Sequence, residues 1–335
     1  GAGLRTGRYI SPTLYAYRER IQVDGEMIDR ESLAALVTVV KEAVDAMEAE
    51  KKGSPTVFEV ETALSFLYFK EKKCDIVVLE TGLGGTLDAT NVVKTTVMEM
   101  ISSIGMDHME FLGGTLQEIA ENKAGIIKPR TWVVSAEQDP QAAAVIRRVC
   151  REKECRLSVV DPDAFQDVHY GYDRQTFSYK DWKDVEITLA GTYQVINAAL
   201  ALEAVEALRN LGYSLTEEQV RKGMKEAFWR GRFSVIHKNP VVVIDGAHNP
   251  AAAKVLKDSL ETYFQGKDLH FIFGVFADKD YQSVISMTAP LAKHIITIQT
   301  PDNQRALPAE QLRDAVAKVN PSVEAAGSIR EAVRK

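Results

Sequence analysis

The sequence predicts an α/β protein of two unequal domains, a larger one built on a mostly parallel sheet and a smaller Rossmann-like one after it. Three observations carry this. Strand-like apolar runs alternate with helical patterns over most of the 335 residues, the segment 157–189 breaks that rhythm with a period-two stretch at 169–179, and a second alternation of strands and helices begins after Arg232. Strands separated by helices need crossover connections and so assemble in parallel. The length agrees, because single cores stop growing near ~250–300 residues.

In chain order, residues 1–7 (GAGLRTG) resemble the end of a helix and its turn. Residues 31–52 set Leu33, Leu36, Val37, Val40, Val44 and Met47 on one helical face. Residues 59–72 form a second helix, so dense in Leu and Phe that deep burial is expected. The apolar run 76–79 is expected as a short, fully buried strand. Helices follow at 142–153 and 197–211, and between them residues 169–179 alternate as an antiparallel insertion at the domain edge does. Beyond Arg232 come a buried strand at 241–244, a helix at 251–263, and strands at 270–275 and 294–299. The break Lys238-Asn239-Pro240 puts the domain boundary within 233–239, giving domains of 1–236 and 237–335. The chain stops at Lys335 inside a helical pattern.

Composition excludes several classes. No apolar run approaches the ~18 residues a membrane span needs, and no signal-peptide pattern opens the chain. A net charge of −6 with no basic stripe argues against nucleic-acid binding. Cys74, Cys150 and Cys155 form no CxxC pair, as expected of ordinary thiols in a reducing cytoplasm. A cytoplasmic monomer acting on small molecules is the expectation.

The richest stretch is 75–91. A strand delivers Glu80 to its carboxyl end, where ligands of parallel sheets bind, and Gly82, Gly84 and Gly85 follow. A carboxylate beside backbone open enough to approach a phosphate suits a Mg-nucleotide site. The same pattern also describes a strand-to-helix turn whose glutamate caps the next helix. Other candidates carry the same ambiguity. His108 in an Asp-His-Met turn is either a ligand or a hydrogen-bonded structural residue. Lys123 at a helix start is either functional or a solvated charge. Gln194 and Asn197, three apart on a helix, either meet one ligand or are a terminal polar pair. Arg232 is either a ligand contact or a rim arginine, and Asp278-Lys279-Asp280 either lines a cleft or is a solvated charge run.

Ordered motifs decide between these readings. Residues 55–69 (PTVFEVETALSFLYF) and 80–91 (ETGLGGTLDATN) are followed or preceded by Ser11-Pro12 with 17–21 (YRERI), 104–108 (IGMDH) with 119–128 (IAENKAGIIK), 191–198 (GTYQVINA) and 245–250 (DGAHNP). Together they resemble the folylpolyglutamate synthase and dihydrofolate synthase family of the Mur ligase superfamily, from about residue 7 to about residue 330. The resemblance implies a P-loop-NTPase-like central domain and a smaller Rossmann-like C-terminal domain. It implies an ATP-dependent ligase that adds L-glutamate to a reduced folate or dihydropteroate through an acyl phosphate. Glu80 and His108 would then be ligands at two Mg2+ sites, with Lys123 carbamylated to help hold the second ion. Burial that depresses the lysine pKa is what CO2 addition requires. By the same resemblance Gln194, Asn197, Arg232, Asp245, His248 and Asn249 meet ATP, and Ser11, Pro12, Asp88, Thr90 and Asn91 meet the acid substrate. Lys123, Arg232 and His248 take the catalytic roles. Residues contributed by both domains imply that their closure completes the site and keeps water from the acyl phosphate.

The sequence also departs from the family pattern. Asn122 stands where relatives commonly carry Glu, Thr13 replaces a His, Thr86 an Arg and Arg230 a Pro. No GxxxxGK[ST] loop occurs in the 335 residues. The family places that loop upstream of Ser11, so a longer natural protein is expected, and these 335 residues alone are expected to bind ATP poorly. The competing readings are another Mur-type amino-acid ligase and a non-catalytic nucleotide- or folate-binding protein. A dehydrogenase is disfavoured, because Gly82–Gly85 is not a GxGxxG opening a helix.

Overall fold

A computed structural model describes residues 2–335, which divide into two compact units. The first comprises residues 2–104, 108–160 and 203–220, the second 105–107, 161–202 and 221–335. The helix Tyr193–Asn210 gives residues to both.

The first unit holds two sheets. In one, Thr6–Tyr9 lies between Ile21–Val23, its antiparallel neighbour, and Ile76–Leu79, its parallel neighbour, with Glu26–Met27 at the far edge. Helices Arg30–Ala49 and Val57–Glu71 share a core with this sheet, made of Tyr9, Ile21, Ile28, Leu36, Val40, Leu64, Tyr68 and Phe69. Both helices start on caps legible in the sequence. Asp29 accepts from Ser32 N, and Thr56 forms a capping box with Glu59. The other sheet is parallel throughout, in the order Met98–Ile101, Trp132–Ser135, Arg156–Val159. Helices Leu116–Ala124 and Pro140–Glu152 bury Ala120, Ala124, Val145 and Ile146 with Ile101 and Val133.

Three expectations are corrected here. Residues 6–9 are a strand and not the end of a helix. Gly7 lets that strand lie on Phe69, where a Cβ would come within 2.7 Å of the ring, so the glycine marks a close approach that imitates a turn in sequence. The strand Ile76–Leu79 is not fully buried. Thr6–Tyr9 is the neighbour it pairs with, and Val78 is 57% exposed. Residues 157–159 belong to the parallel sheet of the first unit and not to the antiparallel insertion. The segment 233–239, where the sequence places the domain boundary, holds the strand Ser234–Lys238, paired antiparallel with Val241–Ile244 through a turn at Asn239-Pro240.

In the second unit, Phe165–His169, Gln175–Tyr179 and Trp182–Ile187 form the period-two meander that the alternation predicts. Gln175 and Tyr263 join it to helix Pro250–Tyr263: Tyr263 OH donates to Gln175 Oε1 at 2.8 Å and accepts from Gly191 N at 3.0 Å. A parallel sheet follows in the order Leu269–Phe273, Ala292–Thr297, Val323–Ala325, with helices Tyr281–Thr288 and Ala309–Ala317. The strand Val241–Ile244, expected to be buried, leaves Val242 and Ile244 39% and 48% exposed. Among the described residues no helix is long and apolar enough to cross a membrane.

Candidate active site

In the first unit the structure draws together the carboxyl end of strand Ile76–Leu79, the segment after Thr6–Tyr9, and the loop 80–91. Glu80 N donates to Tyr9 O, and the Glu80 side chain accepts from Ser11 N at 2.9 Å. The predicted metal ligand and the predicted substrate segment Ser11-Pro12 are therefore neighbours.

The loop that follows is organised from within by one buried carboxylate. Asp88 Oδ2 accepts from Gly82 N at 2.8 Å and Leu83 N at 3.0 Å, while Oδ1 accepts from Thr90 N at 2.9 Å and Thr90 Oγ1 at 2.6 Å. Asp88 and Thr90 are both buried. A carboxylate taking four donors both fixes the turn at Gly82-Leu83 and caps the short 3-10 helix Ala89–Val92. From outside, the segment 122–128 grips the same loop. Gly85 N donates to Asn122 Oδ1 at 3.1 Å, Thr86 N and Oγ1 each donate to Asn122 O at 3.0 Å, and Asn91 Nδ2 donates to Gly125 O at 3.2 Å. The glycines thus serve protein packing. A Cβ on Gly85 would lie 2.8 Å from the carbonyl oxygens of Asn122 and Lys123, and one on Gly82 would meet Phe58 at 2.5 Å. The space expected for a phosphate is taken up, at these two positions, by the fold itself. Two departures from the family pattern, Thr86 and Asn122, turn out to touch each other.

Lys123 lies in the last turn of helix Leu116–Ala124 and not at a helix start, a position where the helix dipole favours a cation. His108 is exposed and caps the short helix Met109–Leu112 in the left-handed region, at φ 50°. That conformation costs a non-glycine residue roughly 1–2 kcal/mol, and such strain concentrates at functional positions. Among the described residues no three His, Cys, Asp or Glu side chains gather closely enough to hold a metal ion. Mg2+ typically takes one or two carboxylates plus substrate phosphates and water, so Glu80 fits a single phosphate-bound ion. An imidazole with an unmodified lysine does not make a second site.

In the second unit the predicted nucleotide residues cluster on three segments. Gln194 and Asn197 stand on the first two turns of helix Tyr193–Asn210 and are bonded to each other, Asn197 Nδ2 to Gln194 Oε1 at 3.0 Å. Asp245 folds its own loop: Oδ2 accepts from Phe233 N at 2.7 Å and Oδ1 from Ala247 N at 2.8 Å. The Arg232 guanidinium lies over Gly246, 3.1 Å from the place a Cβ would occupy. His248 Nδ1 pairs with Gly246 O at 2.8 Å. Asn249 caps helix Pro250–Tyr263 through Ala252 N at 2.8 Å and donates to Asp107 Oδ2 at 2.7 Å. The 278–280 run divides its work: Asp278 pairs with Arg305, Asp280 caps helix Tyr281–Thr288, and Lys279 approaches Asp107 at 4.0 Å.

Sequence reasoning passes over Tyr193, Asp107 and Lys128. Tyr193 adjoins Gln194, and burial, then the Asp245 charge, push its phenol up to about 12. Asp107 and Lys128 lie inside the family motifs, but nothing local reveals their distant partners. A cavity of ≈ 380 Å³ opens in the first unit at the carboxyl ends of Trp132–Ser135 and Arg156–Val159, lined by Ser135, Gln138 and Arg147 among others and by none of the predicted site residues.

Comparison with known proteins gives the family. Residues 26–205 match the Mur ligase middle domain and residues 231–335 the Mur ligase glutamate ligase domain. The chain is 37% identical over 322 residues to a dihydrofolate synthase/folylpolyglutamate synthase of Bacillus subtilis, covering 94% of this chain and 74% of that one. A Mycobacterium tuberculosis folylpolyglutamate synthase, solved with ADP and AMPPCP, superposes with a TM-score of 0.89 at 29% identity, over 99% of this chain and 77% of that one. A folylpolyglutamate synthase from Thermotoga maritima does so with a TM-score of 0.86 at 34% identity, over 100% and 78%.

Proposed function

This chain belongs to the folylpolyglutamate synthase and dihydrofolate synthase family of Mur ligases, and on that premise we propose that it joins L-glutamate to tetrahydrofolate, to dihydropteroate, or to both. The acid substrate's carboxylate takes the γ-phosphoryl group of ATP, releasing ADP. The glutamate amine then attacks the acyl phosphate, the amide forms and phosphate leaves. Because charge builds on the transferred phosphoryl oxygens, positioned cations and hydrogen-bond donors carry most of the acceleration.

In this reading Ser11, Pro12, Asp88, Thr90 and Asn91 shape the place of the acid substrate, and Glu80 holds one Mg2+ with the nucleotide's phosphates. Gln194, Asn197, Arg232, Asp245, His248 and Asn249 take the nucleotide, with Arg232 and His248 toward its phosphates. A second ion needs His108 together with a carbamate on Lys123. That modification turns a cation into an oxygen ligand, and mass spectrometry in bicarbonate buffer that finds no CO2 adduct on Lys123 overturns it. The enzyme works as a cytoplasmic monomer with a middle domain of 1–236 and a glutamate ligase domain of 237–335.

The observation that supports this most directly is the 2.9 Å bond from Ser11 N to Glu80, which sets the acid-binding segment against the metal ligand inside one unit. The test is ADP release by the full-length protein with ATP, Mg2+, L-glutamate and either tetrahydrofolate or dihydropteroate. Release that depends on both glutamate and the acid is expected. ATP binding without turnover would indicate a non-catalytic nucleotide- or folate-binding protein, and turnover only with cell-wall precursors another Mur-type ligase.

A further inference from the structure

The loop 80–91 is held at its near end by Asp88 and Asn122, but its far end rests on a group that no part of the proposed chemistry uses. Lys128 Nζ donates to Asn91 Oδ1 at 2.5 Å and to Asn91 O at 2.9 Å, so a single ammonium takes both oxygens of one residue. Neither acceptor is charged. What steadies Lys128 comes from the other side. Its backbone N donates to Glu99 Oε1 at 3.1 Å, and Glu99 Oε2 accepts from Thr131 Oγ1 at 2.6 Å. Glu99 is 4% exposed and sits in strand Met98–Ile101, so the anchor reaches the parallel sheet directly. Cys155 Sγ donates to Lys128 O at 3.0 Å, and the one Thr131 hydroxyl proton is shared between Glu99 Oε2 and that carbonyl, 2.8 Å away, completing the turn around it.

We propose that Lys128 is a positioning residue for the acid-substrate site, a strut that carries the rigidity of strand Met98–Ile101 to the end of the loop through Asn91. The strut is directional. Asn91 Nδ2 is held by Gly125 O and Thr86 O, so with Lys128 on its oxygens the Asn91 amide is fixed at both ends and its orientation is determined. Thr90 and Asp88, one turn earlier, inherit that register. Burial costs the cation some of its hydration, and the two short bonds to Asn91 replace it. A methylene stem without the ammonium would keep the packing and lose the orientation.

This inference rests on the acid substrate meeting the 88–91 segment, so the experiment separates the two claims. Lys128→Met and Lys128→Arg are compared with the wild type in the full-length protein. Steady-state kinetics are run with each substrate varied in turn, and hydrogen exchange is followed over residues 84–92. Lys128→Met is expected to raise KM for the folate or pteroate acid about tenfold, with kcat and the KM for ATP within about threefold, since one charge-assisted anchor is lost. Exchange in 84–92 should quicken while the unfolding midpoint stays near that of the wild type, and Lys128→Arg should recover most of the KM. An unchanged KM with unchanged exchange removes the strut. So does an equal fall in kcat for every substrate, which would make Lys128 a chemical group, or a loss of midpoint without a KM change, which would make it structural only. If the wild type acts on no folate or pteroate acid, the reading of the site fails, while quicker exchange in Lys128→Met still establishes the anchor.

Discussion

The loops 80–91 of the first unit and 245–250 of the second use the same device to different degrees. Each turns on an aspartate that gathers backbone N–H groups, Asp88 taking four donors and Asp245 two. The first loop is also gripped from outside by Asn122 and Lys128, and its Gly85 is buried against two carbonyl oxygens. The second runs straight into a helix cap at Asn249, and its glycine faces a movable guanidinium. One loop is clamped along its length by distant segments of its unit, the other by local caps together with single bonds to Phe233 N and Asp107. The first should therefore respond to substitution as a core does, and the second as a capped turn does.

Glycine substitution gives the largest contrast. In Gly85→Ala the new methyl meets two backbone oxygens at 2.8 Å and Ile126 at 2.9 Å, so backbone must move, and a loss of about 3 kcal/mol is expected in the unfolding of the first unit. In Gly246→Ala the nearest atom is the end of Arg232 at 3.1 Å, which can swing aside, and the cost should stay below about 1 kcal/mol. Denaturant titrations of the two variants check this, and equal losses would erase the distinction between the loops.

Removing the aspartates should give the next largest effect. Asp88→Ala leaves four buried or partly buried donors without their acceptor, for a loss of about 3 kcal/mol, whereas Asp245→Ala strands two N–H groups in a more exposed loop, for about 1–2 kcal/mol. The same denaturant series measures both. An Asp245→Ala loss equal to that of Asp88→Ala would mean that the second loop is as deeply supported as the first.

This difference also governs what could be seen in the sequence. Part of the second loop is legible because it is local: Asp245 with Ala247, His248 with Gly246 and Asn249 with Ala252 are turn and cap pairs within three residues, whereas its bonds to Phe233 N and Asp107 are not encoded by neighbours. The helices 30–49 and 57–71 were legible from periodicity and caps for the same reason. The first loop shows in the sequence as a strand end and three glycines, but what holds it does not. The partners of Gly85, Asn91 and Glu99 lie 37, 37 and 29 residues away, and no pattern of neighbours encodes such a contact. Three closely spaced glycines suggest freedom of backbone, yet two of them serve close packing against side chains and carbonyls brought in from elsewhere. Strand exposure failed likewise: four apolar residues at 76–79 predict burial, but how many strands lie beside them is a property of the sheet.

The smallest expected effect lies at alkaline pH, and it compares one phenol from each unit. Burial favours the neutral form of Tyr193 and Tyr17 and pushes each up to about 12 from 10.0, with Asp245 adding to the rise for the first and Glu61 for the second. A folded phenol that holds its proton more tightly than the unfolded one contributes stability that is fully present below pH 10, and the contribution is lost as pH rises from 10 toward 12. Tyr17 is 49% exposed, so solvent screens its share, while Tyr193 stands beside Gln194 at the head of a helix and bears on the second loop through Asp245. Tyr193→Phe should therefore flatten the fall in unfolding midpoint between pH 10 and 12 more than Tyr17→Phe does, the remaining slope coming from Tyr263 and Tyr9, whose phenols burial also raises. Circular dichroism melts across that range decide the matter. A steeper fall in Tyr193→Phe than in the wild type would mean that this phenol is charged in the fold, and that neither burial nor the Asp245 charge holds its proton.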